Sequence, residues 1–177
     1  MSAPDLTYVV DDRDRLVAAS AGYFAFAEEN CWPGAETSIG ESLWDFVSGA
    51  TMRKVQESLL RRVRETGRPV ELPFRCDSPE VRREMSIVLE PQAEGRVAFS
   101  AHVIAEQTRT HEGLLDPGKS RGIDLIEMCG WCDRFMVGDR WVEVEEAAAG
   151  LGLATAANLP EISHGLCSDC SKMLSGA

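Results

Sequence analysis

Two C-x2-C pairs, Cys129-Gly130-Trp131-Cys132 and Cys167-Ser168-Asp169-Cys170, stand near the C-terminal end of the sequence, separated by residues 133–166. Each pair places two sulfurs on one tight turn. Two such turns brought together form a tetrahedral four-sulfur cage, which suits zinc because that ion has no d-electron preference for another geometry. Unligated thiols are the plainer reading, since cysteine also packs as a small hydrophobe. Two matched pairs in one short segment favour metal. With four protein ligands no coordination position is left for substrate or water, so the expected zinc is structural rather than hydrolytic. Iron in a rubredoxin-like four-cysteine site would satisfy the same spacing.

The surroundings fit a small stapled domain. Residues 123–177 are too few to build a core unaided, and a metal supplies the missing cross-link. His164 precedes the second pair. It is expected either to donate to a thiolate from outside the cage or to stand in for one sulfur. Trp131 and Trp141 are read as cover and packing, and the Ala- and Glu-rich residues 140–151 as a helix across the site. A contrasting reading takes Cys129 and Cys132 as the dithiol of a redox switch or oxidoreductase, since a C-x-x-C turn lowers a thiol pKa. No β-α-β pattern leads into the pair, which counts against the enzyme.

The remaining cysteines and the charge set the context. The 177 residues are 44% hydrophobic and 27% charged, as in ordinary globular chains. No apolar run is long enough to span a membrane, and the start of the chain lacks the basic and apolar regions of a signal peptide, so a cytoplasmic location and free thiols are expected. A net charge of -11 argues against nucleic acid as a partner. Arg53, Lys54, Arg61, Arg62, Arg64 and Arg68 cluster, and they are read as a solvated helix face.

Residues 6–10 and 15–19 flank an Asp-rich turn and predict an antiparallel hairpin. Ser20 is placed to cap a short helix over residues 21–30. Met52, Val55, Leu59 and Val63 recur at helical steps and predict a longer helix over residues 50–65 that stops at Gly67. Alternating apolar residues over 70–76, 85–89 and 97–103 predict three further strands. Two strands, helices, then three strands give an α+β domain with a five-stranded antiparallel sheet and helices on one face.

Over residues 6–105 this sequence resembles a PAS sensory domain. The likeness rests on the opening hairpin, the run Phe24-Ala25-Phe26-Ala27-Glu28-Glu29-Asn30, the segment 39–47 containing Ile39-Gly40 and Leu43-Trp44-Asp45-Phe46, and the last three strands. It implies that Trp44 and Phe46 enter the core, and that a pocket for a small molecule is lined by Phe24, Trp44, Phe46, Phe74, Cys76 and Phe99. Because PAS domains associate in pairs, it also implies a homodimer. The C-terminal segment resembles an extension of bacterial signalling proteins with the pattern C-x-W-C, a Trp- and Glu-containing helix, then H-G-x-C-x-x-C. Here those positions are Cys129, Trp131, Cys132, Trp141, Glu145, His164, Gly165, Cys167 and Cys170.

The expected organisation is a PAS-like domain over residues 1–105, a linker over 106–122 and a zinc-ribbon-like domain with a four-cysteine site over 123–177. Cys31 and Cys76 lie outside the matched pairs, Cys76 at the end of an alternating strand face. Arg75, Arg82 and Arg83 surround the turn at 77–79 and are read as a hairpin tip with local salt bridges. His102 and His111 are poorly placed for haem. No triad, phosphate loop or kinase motif occurs, so the chain is expected to act without catalysis, relaying a ligand or redox signal to a protein partner.

Overall fold

The computed structural model describes residues 6–30, 32, 34–153 and 158–176. Cys31 lies outside the described residues. The chain forms two compact units, the first comprising Met1–Val47, Arg53–Pro73 and Met85–Ile104, the second Ser48–Met52, Phe74–Glu84 and Ala105–Ala177.

A five-stranded antiparallel sheet runs in the order β2-β1-β5-β4-β3, from β1 (Leu6–Val10), β2 (Leu16–Ala19), β3 (Val70–Arg75), β4 (Val81–Pro91) and β5 (Val97–Thr108). The mixed α+β class and this sheet agree with the sequence reading. The β1–β2 turn is set by Asp11, whose Oδ1 accepts the amides of Arg13 and Arg15, each at 2.9 Å. Such a carboxylate bond to nearby backbone is why Asp is favoured in tight turns. β1 also pairs with β5, and Tyr8 stacks on Phe99 with ring centroids 4.6 Å apart.

The first helix, α1 (Ala21–Glu29), is capped as expected by Ser20, whose side chain accepts the Tyr23 amide, and it packs on β1. α2 (Ala50–Thr66) keeps Leu59, Leu60 and Val63 out of solvent, the face its apolar spacing predicts. Val10, Leu16, Leu72, Met85, Leu89 and Val97 are also buried in the interior of the first unit. At the segment 39–47 the structure corrects the sequence reading. A three-residue turn of 3-10 helix, Leu43–Asp45, buries Leu43 to 5% exposure, whereas Trp44 is half-buried and Phe46 is exposed. With about three residues per turn, one side chain in three faces inward, and here it is the leucine. The Trp44 indole N–H instead donates to Asp14 at 3.1 Å, and the Arg53 guanidinium sits over the ring.

The second unit has its own sheet, ordered β8-β7-β6-β9, from β6 (Arg121–Cys129), β7 (Phe135–Val137), β8 (Arg140–Val142) and β9 (Leu159–Gly165). α3 (Val144–Gly150) lies between β8 and β9 in sequence, and α4 (Ser168–Gly176) ends the chain. β6 and β9 are parallel, so their connection must cross over rather than turn back as in the antiparallel hairpins expected of a ribbon. The helix expected over 140–151 is shorter, because β-branched and aromatic residues at its start pair with β7 as strand β8. Leu114, Ile126, Phe135, Val142, Val144 and Ala147 form the core of this unit. Leu114 is 1% exposed, so residues 106–122, expected as a linker from their polar composition, contribute a core side chain. Among the described residues no helix is long and apolar enough to cross a membrane.

Candidate metal centre

Cys129 is the last residue of β6, and Gly165, directly opposite it in the parallel register, is the last of β9. Both C-x2-C turns therefore leave the same end of the same strand pair. In the first turn the Cys129 amide donates to the Arg134 carbonyl at 2.7 Å, and the Asp133 amide returns to the Cys129 carbonyl at 2.9 Å. Asp133 takes a left-handed φ of 57°, which closes the loop; among non-glycine residues Asn and Asp tolerate that region best. The Gly130 amide donates to the Gly165 carbonyl at 3.1 Å and joins the two turns. A side chain at Gly130 would press its Cβ to 2.9 Å from Met52 Cγ, so any larger residue there would have to displace the Met52 side chain.

The second turn opens α4. The Cys167 amide donates to Cys129 Sγ and the Cys170 amide to Cys167 Sγ, both at 3.4 Å, while the Ser171 amide donates to the Cys167 carbonyl at 2.9 Å. All four Sγ atoms lie within 4.8 Å of one another, and Cys132 Sγ is 3.8 Å from Cys167 Sγ. Zinc–sulfur bonds of about 2.3 Å at tetrahedral angles put neighbouring sulfurs about 3.8 Å apart. The donor set thus fits a four-coordinate ion. Cys129, Cys167 and Cys170 are buried and Cys132 half-buried.

Crowding sets the thiols against one another. The hydrogen bond from Cys132, with amides of neighbouring residues, holds Cys129 well below the ordinary thiol range. Cys132 is pushed up, chiefly by that same bond and then by burial, and Cys170 is pushed up by burial to about 12. Four sulfurs this close cannot all ionise unaided, because like charges at short range repel strongly. A divalent cation resolves that conflict by taking all four as thiolates.

The side chains singled out in the sequence separate. His164 is half-buried on β9 with its pKa lowered by desolvation, and the group that could hold a metal ion consists of the four cysteines without it. Its carbonyl packs so near Gly49 that a Cβ there would come within 2.5 Å. Trp131 is 7% exposed and stands against Phe74 at 6.3 Å between centroids, a covering position as expected. Of the residues the PAS resemblance points to, Phe24, Trp44, Phe46 and Phe99 belong to the first unit, Phe74 and Cys76 to the second. The Cys76 thiol is raised to about 11, first by burial. His102 is exposed, and His111 pairs with Asp116 at 3.2 Å.

Sequence reasoning misses a buried ionic node behind the first turn. Asp77, its side chain 1% exposed, accepts from the guanidiniums of Arg75 and Arg109 and from the Arg83 amide. Its own amide donates to Asp133 Oδ2 at 2.7 Å, and the Arg75 amide donates to the Trp131 carbonyl at 3.0 Å. Arg75 also reaches Glu143 at 2.7 Å, and Arg109 reaches Glu145 at 3.3 Å. Glu143, the cap of α3, is thereby tied to Arg75, and Glu145 on the helix to Arg109. The only signal in the sequence is the density of arginines around the turn at 77–79, which points to local salt bridges but not to partners 32 to 68 positions away.

No protein-family model and no curated protein sequence matches the chain.

Proposed function

We propose that this protein is a non-catalytic sensory or regulatory module, a PAS-like domain joined to a structural zinc centre held by Cys129, Cys132, Cys167 and Cys170, which relays a ligand or redox state to a protein partner. The observation that carries the zinc is the 3.8 Å sulfur separation within a four-sulfur cluster. Zinc fits better than a catalytic metal because the four sulfurs fill its coordination shell. The burial of Cys129 counts against a dithiol oxidoreductase, whose attacking thiolate must reach a substrate disulfide.

The PAS-like reading is supported by the placing of the opening hairpin and the last three strands, which carry the resemblance, in one five-stranded antiparallel sheet. A protein partner follows from the resemblance of the C-terminal segment to extensions of bacterial signalling proteins. The test is elemental analysis of protein purified without added metal, with thiol titration before and after chelation. One zinc per chain, with four thiols released by the chelator, is expected. Metal-free protein, or one iron with thiolate-to-iron absorption, would overturn the zinc assignment. Mass spectrometry of small molecules retained by native protein addresses the sensory half.

A further inference from the structure

We propose that the centre is oxidised by hydroperoxides at Cys132, and that Cys167 resolves the product into a cross-pair disulfide that releases the metal while keeping the two turns joined. This rests on the zinc reading above and adds the regulation of that site. Cys132 is the one residue of the four that retains intermediate exposure, so a small oxidant meets it first. Cys132 Sγ lies 3.8 Å from Cys167 Sγ, across the two turns. The Arg134 guanidinium lies beside Cys132 and is held in turn by Asp169 at 3.2 Å. It places a cation where the departing oxygen gathers negative charge.

The chemistry balances with a hydroperoxide as sole oxidant. The Cys132 thiolate attacks the outer peroxide oxygen, an S–O bond forms, the O–O bond breaks, and the alkoxide or hydroxide leaves and takes a proton from water. The Cys167 thiolate then attacks the Cys132 sulfenic sulfur, an S–S bond forms, the S–O bond breaks, and hydroxide leaves to become water. Two thiolates lose two electrons and the peroxide gains them. Closing from 3.8 Å to a bond of about 2.05 Å needs a shift of under 2 Å. The ion, left with two sulfur ligands, dissociates.

The pairing decides the consequence. A disulfide within either C-x2-C turn would leave the ends of β6 and β9 without a covalent or metal link. The Cys132–Cys167 bond spans the two turns and substitutes for the ion as the staple, so the oxidised form stays folded and its Cys129 and Cys170 become free thiols. Oxidation then differs from chelation, which removes the staple altogether.

The experiment treats full-length, zinc-loaded protein with one equivalent of hydrogen peroxide. Zinc release is followed with a chromophoric chelator, the disulfide is mapped by non-reducing peptide mass spectrometry, and circular dichroism is recorded. Expected are loss of one zinc per peroxide consumed, a Cys132–Cys167 peptide pair, a circular dichroism spectrum close to the starting one, and recovery of zinc binding after reduction. Retention of zinc in excess peroxide, or a dominant Cys129–Cys132 or Cys167–Cys170 disulfide, would overturn the proposal while leaving the zinc centre intact. Protein that holds no zinc before treatment removes the zinc reading instead, and this one with it.

Discussion

Asp77 gathers two guanidiniums at a position almost without solvent, while the second carboxylate each of them reaches, Glu143 for Arg75 and Glu145 for Arg109, is much more exposed. Asp77→Asn keeps the shape but removes the buried anion, leaving Arg109 with the exposed Glu145 alone. Breaking a buried pair in this way costs about 3–5 kcal/mol. Urea unfolding of the zinc-loaded variant measures it; a loss under about 1 kcal/mol would mean that water or Glu143 and Glu145 already compensate. Cys76 gives a prediction of opposite character. Its thiol is raised to about 11 by burial, so between the ordinary thiol value of 9.0 and about 11 the unfolded chain releases a proton that the folded chain keeps. Stability contributed by the neutral thiol is therefore complete below pH 9 and is lost as pH rises through that window. Unfolding midpoints for wild type and Cys76→Ala are expected to converge from pH 8.5 to 11, with zinc content unchanged by the substitution; parallel pH profiles would refute the burial account. The four clustered cysteines are legible in the sequence as a candidate metal site because ligand spacing is local. The Asp77 node is not, because nothing local shows which distant carboxylate an arginine will meet.

At the scale of elements, hydrophobic period and capping locate β1, β2, α1, α2 and the three later strands, since each of those signals lies within the element itself. Pairing direction does not lie within an element, and that is why the parallel β6–β9 pair and the strand at Arg140–Val142 escape a sequence reading. Leu43 takes the inward place expected of Trp44 and Phe46 for a related reason: a 3-10 turn of three residues is too short for a period to show. The start of α2 carries a constraint of its own. Gly49 has φ of +87°, and an added Cβ would lie 2.5 Å from the His164 carbonyl oxygen. Gly49→Ala thus combines an unfavourable backbone region, about 1–3 kcal/mol, with a clash against backbone that cannot swing away. A fall in thermal midpoint and weaker zinc retention against a competing chelator are expected together, because His164 adjoins the Gly165 carbonyl that receives the Gly130 amide. A Gly49→Ala protein with wild-type zinc affinity would separate this turn from the metal centre.

For the molecule as a whole, a reading that moves along the chain assigns contiguous domains, whereas the second unit collects Ser48–Met52 and Phe74–Glu84 from inside the segment assigned to the first. Boundaries drawn from composition cannot show this, because a hairpin tip and a helix start have the same polar residues whichever core they join. The energetics of the two units differ accordingly. The first has a long apolar interior that includes Val10, Leu16, Leu60, Val63, Met85, Leu89 and Val97, and burial of such side chains contributes about 1.5–3 kcal/mol each. The second has the smaller core around Phe135 and the four-sulfur cluster, and structural zinc in peptides contributes about 10–16 kcal/mol. Chelation under reducing conditions is expected to act unevenly, and hydrogen exchange resolves where. The amides of Cys129, Gly130, Asp133, Cys167, Cys170 and Ser171, all hydrogen-bonded around the cluster, should exchange orders of magnitude faster. The β1–β5 ladder from Leu6 to Val10 should keep its protection. Equal acceleration in both places would show that the metal stabilises one cooperative fold, and that the sheet of the first unit does not stand on its own burial.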